Sequence, residues 1–306
     1  MLDLSILEIL LSLIKMSKFL LIKNKIQKFD QKIYVSGDKS LSIRWVLLAS
    51  QAIGKSKGFN LLMSEDVLAA LNSIKKMGIK VNIRKNFCEI FGNGINGFKY
   101  KKNLTINARN SGTLGRLMLG LLIKSPQKIK LIGDKSLSKR DFSRVTVPLE
   151  KFGAKFYYNT KNKLPLSILG SQYVKGIKYL ENKGSAQCKS SVMLAALNAT
   201  GTTSIIAKKS RNHSELLFKY LKIPIKIKTT KKYDFIDISP PKRIKAFDYQ
   251  IPGDISSSAF FMVLTILSDN SRLLIKNVNV NPSRIGVITI LKKMGAKILL
   301  KNQRNY

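Results

Sequence analysis

The sequence predicts an α/β protein built from repeated helix–strand units. Helix-like and strand-like segments alternate along all 306 residues, and a helix followed by a strand recurs at regular intervals. The hydrophobic fraction of 44% is sufficient for a large core. A chain of this length can contain two domains.

The first helix–strand repeat lies at residues 66–83. Apolar side chains such as Val67 and Leu71 fall at helical spacing up to Gly78, and the apolar residues after Gly78 alternate as in a strand. A glycine at the end of a helix fits the left-handed conformation that closes many helices. We therefore expect Gly78 to end a helix and a strand to follow it.

The same pattern recurs three times, with 75, 70 and 72 residues between the glycine positions. The second and fourth repeats have Gly153 and Gly295, whereas the third has Ile223 where the glycine would fall. The four repeats are 66–83, 143–156, 214–227 and 283–299. Regular spacing of this kind indicates a repeat architecture of about 70 residues per unit.

A doubly wound nucleotide-binding sheet is not supported by the sequence. That fold requires a glycine-rich turn after its first strand, and no turn of the required form is found. The run Gly54-Lys55-Ser56 resembles the end of a phosphate-binding loop. Ala49, however, occupies the position where that loop needs a glycine.

The charge balance is extreme, with 55 Lys and Arg against 17 Asp and Glu and a formal net charge of +38. This excess raises the hypothesis of a non-enzymatic basic protein that binds nucleic acid. The lysines are spread over the whole length, and no run of them alternates with aromatic residues as in a stacking platform. We interpret most of them as a solvated surface, and we expect any cleft to attract anionic substrates.

Residues 1–15 form a short apolar stretch that contains Asp3 and Glu8. The stretch is too short to span a bilayer, and it lacks the basic start and the cleavage site of a secretory signal. We expect it to be a spurious or disordered extension, with translation starting at Met16. No other segment suggests a membrane.

The chain offers few residues for a metal site. His213 is the only histidine, and Cys88 and Cys188 lie far apart without a pairing motif. These residues cannot form a credible zinc site, so we expect no metal and no other cofactor. Two separate cysteines are typical of a reducing cytosol, where each packs as a small buried hydrophobe.

The sequence Gly-Asp-Lys-Ser-Leu-Ser occurs twice, at residues 37–42 and 133–138. Each copy follows a strand-like run, and each is followed two residues later by an arginine, Arg44 or Arg140. A turn of this kind offers backbone N–H groups, hydroxyls, an ammonium group and a guanidinium group together. These are the parts of a site for phosphate or carboxylate.

The first copy closely resembles the opening helix of the 5-enolpyruvylshikimate-3-phosphate synthase family. Further motifs of that family follow in the family's order. They are Ser64-Glu65-Asp66, Asn110-Ser111-Gly112-Thr113 with Arg116, the second Gly-Asp-Lys-Ser copy, Ser185-Ala186-Gln187, Arg211-Asn212-His213-Ser214-Glu215, Pro252-Gly253-Asp254 and Asn281-Pro282-Ser283-Arg284. Ser-Ala-Gln at residues 185–187 is similar to the class II branch.

The resemblance implies the residues that bind substrate. Lys39 is similar to a catalytic residue that contacts both substrates, and Gly112 is similar to a glycine that passes close to phosphoenolpyruvate. The implied phosphoenolpyruvate ligands are Lys39, Gly112, Arg140 and Gln187. The implied shikimate 3-phosphate ligands are Lys39, Ser40, Arg44, Ser185, Ala186, Gln187 and Arg211.

The chain departs from the family pattern at three places. Asp141 follows Arg140 where proline is usual, Asn212 replaces an aspartate, and Ser36 replaces a proline. None of these changes removes a binding group. His213 lies in a phrase whose family role is structural, so we expect no direct catalytic role for it.

The implied fold is a two-domain inverse α/β barrel of repeated βαβαββ units. The family has six units, and the sequence shows four. Residues 38–245 would form one complete domain of three units. Residues 16–37 and 246–306 would belong to a second domain that is incomplete.

The implied reaction is the transfer of the enolpyruvyl group of phosphoenolpyruvate to the 5-hydroxyl of shikimate 3-phosphate, with release of phosphate. It is a step of the shikimate pathway toward chorismate and aromatic amino acids, and we expect a cytoplasmic monomer. Such chemistry needs cations, a base for the hydroxyl and an acid for the methylene carbon. In the family the acid–base Asp and Glu lie downstream of the Asn-Pro-x-Arg motif, so we expect them beyond Tyr306. We therefore expect a C-terminally truncated chain that is inactive alone.

Two rival readings remain open. The related transferase that acts on UDP-N-acetylglucosamine shares the architecture, but it typically has Lys-Asn where this chain has Lys39-Ser40, and it usually has a loop cysteine as the acid. The second rival is the basic nucleic-acid-binding protein raised by the net charge. A steep salt dependence of RNA binding without any effect of shikimate 3-phosphate would favour it.

Overall fold

A computed structural model describes residues 27–85 and 87–303 of the chain. The predicted extension at residues 1–15 and the predicted start at Met16 lie outside the described residues. Within them, every helix is too short or too polar to cross a membrane.

The elements fall into three consecutive units and a final segment. Strand β1 (Asp30–Tyr34) precedes the first unit, which contains α1 (Lys39–Ser50), β2 (Ala52–Phe59), α2 (Glu65–Lys76), β3 (Lys80–Ile83) and β4 (Phe87–Asn93). The second unit contains β5 (Thr105–Asn107), α3 (Gly112–Leu121), β6 (Ile129–Ile132), α4 (Lys135–Ser138), α5 (Ser143–Glu150), β7 (Lys155–Tyr158) and β8 (Leu166–Leu169). The third contains β9 (Lys178–Glu181), α6 (Ala186–Ala196), β10 (Thr203–Lys208), α7 (His213–Tyr220), β11 (Ile225–Thr229) and β12 (Tyr233–Ile238). The final segment contains β13 (Ile244–Lys245), β14 (Asp248–Gln250), α8 (Ile255–Ile266), β15 (Arg272–Lys276) and α9 (Gly286–Lys293).

The three units share one strand order. The sheets run β5-β6-β8-β7 in the second unit, β9-β10-β12-β11 in the third and β14-β2-β4-β3 in the first. In each sheet the first two strands pair in parallel and the others pair antiparallel. The predicted α/β class with repeated βαβαββ units is confirmed.

Three helices, α1, α3 and α6, are buried on nearly all sides. Their sequences carry apolar or small residues around the whole helix rather than along one stripe, as expected for a helix without a solvent face. Gly120 of α3 is in backbone contact with Ser191 of α6, and a Cβ at Gly120 would collide with the Ser191 carbonyl oxygen. Trp45 of α1 is fully buried, and its ring lies against Gly58 of β2.

The chain exchanges strands between the first unit and the final segment. Strand β1 pairs with β15 rather than with β2, and β14 takes the place beside β2. The chain therefore crosses twice, at residues 35–38 and 251–254. The crossings run antiparallel, with the Asp38 N–H donating to the Pro252 carbonyl at 2.8 Å and the Asp254 N–H donating to the Ser36 carbonyl at 2.9 Å.

The predicted helix-ending glycines adopt the left-handed conformation, with φ of +81° at Gly78, +97° at Gly153 and +94° at Gly295. In the third unit we expected Ile223 at the position of the helix-ending glycine, but this is wrong by one residue, because Lys222 takes that position. Lys222 has φ +53°, and the following Ile223 N–H donates to the Phe218 carbonyl five residues back, as Ile79 does in the first unit. In the fourth repeat helix α9 forms, but no strand is assigned over residues 296–303.

Candidate active site

The two Gly-Asp-Lys-Ser-Leu-Ser copies have the same local structure. Asp38 accepts a hydrogen bond from the Leu41 N–H at 3.0 Å, and Asp134 accepts one from the Leu137 N–H at 2.7 Å. Each aspartate is therefore the N-cap of a helix, and each leucine is buried beneath it. Part of the duplicated sequence is explained by capping and packing, and its lysines remain at the surface.

Lys39 is the first residue of α1, and its side chain is half exposed. The Lys39 ammonium lies 3.0 Å from the Asp66 carboxylate, and the Lys39 backbone N–H donates to Asp254 at 3.3 Å. Asp66 and Asp254 come from different parts of the chain. The ammonium is therefore held at the start of α1 and is still reachable from solvent.

Arg44 lies one turn deeper in α1 and is buried. Its guanidinium donates to the Ser214 hydroxyl at 2.8 Å, the Ser190 hydroxyl at 2.9 Å and the Ser40 carbonyl at 3.2 Å. Burial lowers the pKa of Arg44 to about 10, so the group stays protonated at neutral pH. Among the described residues Arg44 forms no ion pair, and a buried cation with only neutral hydrogen-bond partners favours an anion nearby.

The Asn-Ser-Gly-Thr turn at residues 110–113 meets the second Gly-Asp-Lys-Ser copy. Asn110 accepts a hydrogen bond from Arg140 at 3.1 Å and donates to Asp134 at 2.7 Å. A Cβ built on Gly112 would lie 2.8 Å from an Arg116 nitrogen and 3.1 Å from an Arg140 nitrogen. Two guanidinium groups therefore converge above the one residue of the turn that has no side chain.

Gln187 connects this turn to the third unit. It accepts a hydrogen bond from Arg116 at 2.6 Å and donates to the Thr113 hydroxyl at 3.0 Å. The Arg116 guanidinium lies 5.2 Å from the centre of the Phe142 ring, within the range of a cation–π contact. The pKa of Arg116 is lowered, first by burial and then by the neighbouring cations Arg140 and Arg144.

Ser185 and Ala186 lie at the start of α6. The Ser185 hydroxyl caps the helix by accepting from the Cys188 N–H at 3.3 Å, and the Ser185 N–H donates to Glu181 at 2.9 Å. Ala186 is the first helical residue. The first N–H groups of a helix lack intrahelical acceptors and carry partial positive charge, which suits an anion.

Arg211 is exposed and lies near Arg284. Burial and the Arg284 charge lower the pKa of Arg211. Arg284 donates to the Ser256 hydroxyl at 2.7 Å and to Asp254 at 3.3 Å, so it is anchored at the start of α8. The Asn-Pro-Ser-Arg motif thus brings a second arginine to the side of Arg211.

His213 is buried behind these arginines. Burial and the charges of Arg44, Arg284 and Arg211 lower the pKa of His213 to about 3, so the imidazole is neutral. Its Nε2 lies 3.5 Å from the Asn279 side-chain nitrogen, which also donates to Asp38 at 3.1 Å. His213 is thus a buried, neutral group that lies beside Asn279, which bonds the capping residue of α1.

The three departures from the family pattern have local partners. Asp141 accepts from the Ser143 N–H at 2.7 Å and from its hydroxyl at 2.8 Å, at the start of α5. Asn212 accepts from the Asn281 amide at 2.7 Å, and Ser36 contributes a backbone carbonyl to the crossing. The side-chain hydrogen bonds of Asp141 and Asn212 go to Ser143 and Asn281 and not to Arg116 or Arg140.

Sequence reasoning missed two features of the site. Arg116 was recognised only as part of a motif, although its position one helical turn after Gly112 was a signal for its role. The buried ion pair between Lys189 of α6 and Glu215 of α7, 2.5 Å apart, was not predicted. Its signal was weak, because a charge in a basic chain is normally exposed. Among the described residues, no group of His, Cys, Asp or Glu side chains could hold a metal ion.

Comparisons with known proteins agree on one family. The family model described as EPSP synthase (3-phosphoshikimate 1-carboxyvinyltransferase) matches residues 23–305. The 3-phosphoshikimate 1-carboxyvinyltransferases of Bacillus subtilis and Petrotoga mobilis are 38% and 37% identical to this chain over 281 residues, which is 91% of the chain and 64% of each relative. The EPSP synthase structure from Acinetobacter baumannii superimposes with a TM-score of 0.83 at 35% identity, over 91% of this chain and 62% of the other.

The chain thus spans less than two thirds of the length of these relatives. The agreement in sequence and in three-dimensional structure confirms the resemblance read from the motifs. The chain belongs to the EPSP synthase family.

Proposed function

We propose that this chain supplies the anion-binding part of an enzyme that transfers the enolpyruvyl group of phosphoenolpyruvate to the 5-hydroxyl of shikimate 3-phosphate, with release of phosphate. The observation that carries the proposal is the convergence of Arg116 and Arg140 above Gly112. Two planar guanidinium groups at one backbone position suit a carboxylate or a phosphate better than lysines would. Family membership supports the choice of substrates.

In this proposal phosphoenolpyruvate binds against Gly112, where the missing side chain lets the ligand approach the backbone. Arg140 and Gln187 hold its charged groups, and Lys39 reaches it from α1. Cations fixed in advance around the reacting carbon stabilise the negative charge that develops in the tetrahedral intermediate. Lys39 is the proposed catalytic residue, because its half-exposed ammonium can reach a ligand bound at the start of α1.

Shikimate 3-phosphate is proposed to bind between the starts of α1 and α6. The partial positive charge at the two helix starts favours its phosphate, and the exposed Arg211 adds a charge at the rim. Arg44 acts from beneath, because its guanidinium already donates to two hydroxyls and is not freely accessible. The proposed ligands are Lys39, Ser40, Arg44, Ser185, Ala186, Gln187 and Arg211.

Titration calorimetry tests the site directly. Shikimate 3-phosphate should bind the chain, and phosphoenolpyruvate should bind in its presence. Arg140→Gln should weaken the binding of phosphoenolpyruvate about tenfold, which is the loss expected for one charge-assisted contact. Lys139→Gln removes the adjacent exposed cation and should leave the affinity unchanged. Equal losses in both variants would indicate attraction by net charge alone and would contradict the proposal.

Gly112→Ala separates the two subsites. The added methyl group meets the Arg116 and Arg140 side chains, so the affinity for phosphoenolpyruvate should fall while the affinity for shikimate 3-phosphate stays the same. UDP-N-acetylglucosamine is the control for the rival transferase. If UDP-N-acetylglucosamine binds and shikimate 3-phosphate does not, the chain is assigned to the rival transferase instead.

We also propose the domain division and the location. Our sequence-based prediction of a three-unit domain ends at residue 245, but β14 (Asp248–Gln250) pairs with β2 of the first unit. We therefore propose that this domain extends to about Gln250. A monomer in the cytoplasm is proposed, and the two unpaired, buried cysteines Cys88 and Cys188 support a reducing compartment.

A further inference from the structure

A cleft of about 510 Å³ lies at the point where the chain crosses between the first unit and the final segment. The last residues of four strands line it: Tyr34 of β1, Phe59 of β2, Gln250 of β14 and Lys276 of β15. The strands form two parallel pairs, with Tyr34 beside Lys276 and Gln250 beside Phe59. Four carboxyl ends therefore open into one cleft.

This position follows from the connectivity. After β1 the chain leaves for α1, and after β14 it leaves for α8, so the two connections depart from the same place into different parts of the molecule. When the connections after neighbouring parallel strands diverge, they leave the carboxyl ends of those strands uncovered. Ligands of α/β sheets commonly bind at such points. None of the residues proposed to bind phosphoenolpyruvate or shikimate 3-phosphate lines the cleft.

The floor of the cleft is apolar. Phe59 and Phe87 lie on adjacent strands with ring centres 5.8 Å apart, and Leu61 and the buried Val35 extend the same surface. An aromatic surface of this kind gains free energy by covering a flat apolar group. Met63, which is 47% exposed, forms part of the rim.

The rim is cationic. Arg84 and Lys85 belong to the turn between β3 and β4, and Lys276 faces them from β15. Among the described residues that line the cleft, none carries a carboxylate. The pKa of Lys276 is lowered by its contact with Lys32 of β1, so two basic side chains crowd at this edge of the cleft.

We propose that this cleft is a second ligand site, for a small amphipathic anion that combines a flat apolar group with a carboxylate or a phosphate. The apolar group covers Phe59 and Phe87, and the anionic group lies among Arg84, Lys85 and Lys276. Charge complementarity selects this class of ligand, because the walls offer cations and amides but no counter-charge. The ligand contacts strands on both sides of the crossings, so its binding links the first unit to the final segment.

Binding of 2-naphthoate, measured by calorimetry at physiological ionic strength, tests the site. One equivalent should bind, and the neutral 2-naphthalenemethanol should bind at least about tenfold more weakly because it lacks the anionic group. Equal affinity of the two probes, or no binding of 2-naphthoate at millimolar concentration, would overturn the proposal.

Matched variants locate the bound probe. Met63→Asp puts a carboxylate at the rim and should weaken 2-naphthoate about tenfold, whereas Met294→Asp changes an exposed methionine outside the cleft and should not. Both methionines are exposed, so both variants should fold. If the two variants lose the same affinity for 2-naphthoate, or if neither loses any, the probe binds outside this cleft.

A second pair of variants tests the cations without adding an acid. The double variant Arg84→Gln/Lys276→Gln should weaken 2-naphthoate about fivefold or more, and Lys151→Gln/Lys155→Gln removes two exposed charges elsewhere as the control. An equal effect of the two double variants would show that binding follows the net charge of the chain and not this cleft. Neither pair includes a residue of the proposed substrate site, so its failure leaves the proposed function untouched.

Discussion

At the scale of single residues, Arg44, Lys189 and Glu215 bring two positive charges and one negative charge into the same buried region between α1, α6 and α7. Lys189 and Glu215 lie 2.5 Å apart, and the charge of Glu215 also favours the protonated form of Arg44. Buried charges are costly unless they are compensated, so each member depends on the others. This arrangement fixes the arginine proposed to act on the substrate phosphate.

Removal of one member of the buried pair should be strongly destabilising. Glu215→Leu leaves two uncompensated cations and should cost about 3–5 kcal/mol in the free energy of unfolding, and Lys189→Met should cost less because Arg44 still faces Glu215. The double variant Lys189→Met/Glu215→Leu should recover much of the loss. Urea unfolding measures all three, and additive losses in the double variant would contradict the coupling.

The neutral state of His213 predicts a pH dependence of stability. Its pKa is about 3 in the folded chain against 6.5 for a free histidine, so between these values the unfolded chain binds a proton that the folded chain does not. The His213 contribution is complete above about pH 6.5 and is lost as the pH falls, at about 1.4 kcal/mol per pH unit.

The variant His213→Gln keeps an acceptor near the Nε2 position but does not titrate. Between pH 6.5 and pH 5 the wild type should lose about 2 kcal/mol more in free energy of unfolding than this variant. The comparison cancels the carboxylates, which titrate in both proteins. Parallel pH profiles would show that folding does not lower the pKa of His213.

At the scale of elements, four helices end in the same way, although only three of them have glycine at the left-handed position. Lys222 takes that conformation at the end of α7, with φ +53°. A residue with a Cβ pays a steric cost there that glycine avoids. The sequence pattern could not place this position, because without a glycine nothing marks the residue on which the helix closes.

Lys222→Gly should raise the free energy of unfolding by about 0.5–1 kcal/mol, since relief of the left-handed strain exceeds the added freedom of the unfolded chain. Gly295→Ala is the matched control, because it places a Cβ at a left-handed position and should lower the free energy of unfolding. Nothing lies within 4 Å of a Cβ at Gly295, so its expected loss of about 1 kcal/mol comes from the backbone conformation alone. Thermal unfolding measures both, and a destabilised Lys222→Gly would show that the lysine side chain makes a compensating contact.

At the scale of the whole molecule, the net charge of +38 is spread over all units and is not neutralised by ion pairs. Repulsion among exposed cations destabilises the compact state and is screened by salt. The thermal midpoint should therefore rise when sodium chloride is raised from about 0.02 M to about 0.5 M, where the screening length falls to a few ångströms.

A charge-reduced variant provides the control for this effect. Replacement of the exposed Lys139, Lys151 and Lys155 by glutamine should make the salt-induced rise smaller. A fall of the midpoint with salt in the wild type would mean that attractive pairs, such as Lys39–Asp66, outweigh the repulsion.

The sequence by itself determined the helix–strand repeats and, through the order of its motifs, the family, because these depend on local signals. The proposed ligands follow from the family resemblance. Helix-ending glycines such as Gly78 and the order of short motifs are both readable along the chain. The duplicated Gly-Asp-Lys-Ser-Leu-Ser sequence and its following arginine predicted an anion site, and the family resemblance added the Asn-Ser-Gly-Thr turn to that prediction.

Only the tertiary structure decided what depends on contacts between distant residues. The pairing of β14 with β2, the convergence of Arg116 and Arg140 above Gly112, and the burial of Lys189 against Glu215 join residues that are tens to hundreds of positions apart. Neither periodicity nor residue type encodes such distances, because the energy of each contact depends on the packing around it. The same reason explains why the cleft at the crossings is not visible along the sequence, since its walls come from the ends of four strands that the folded chain brings together.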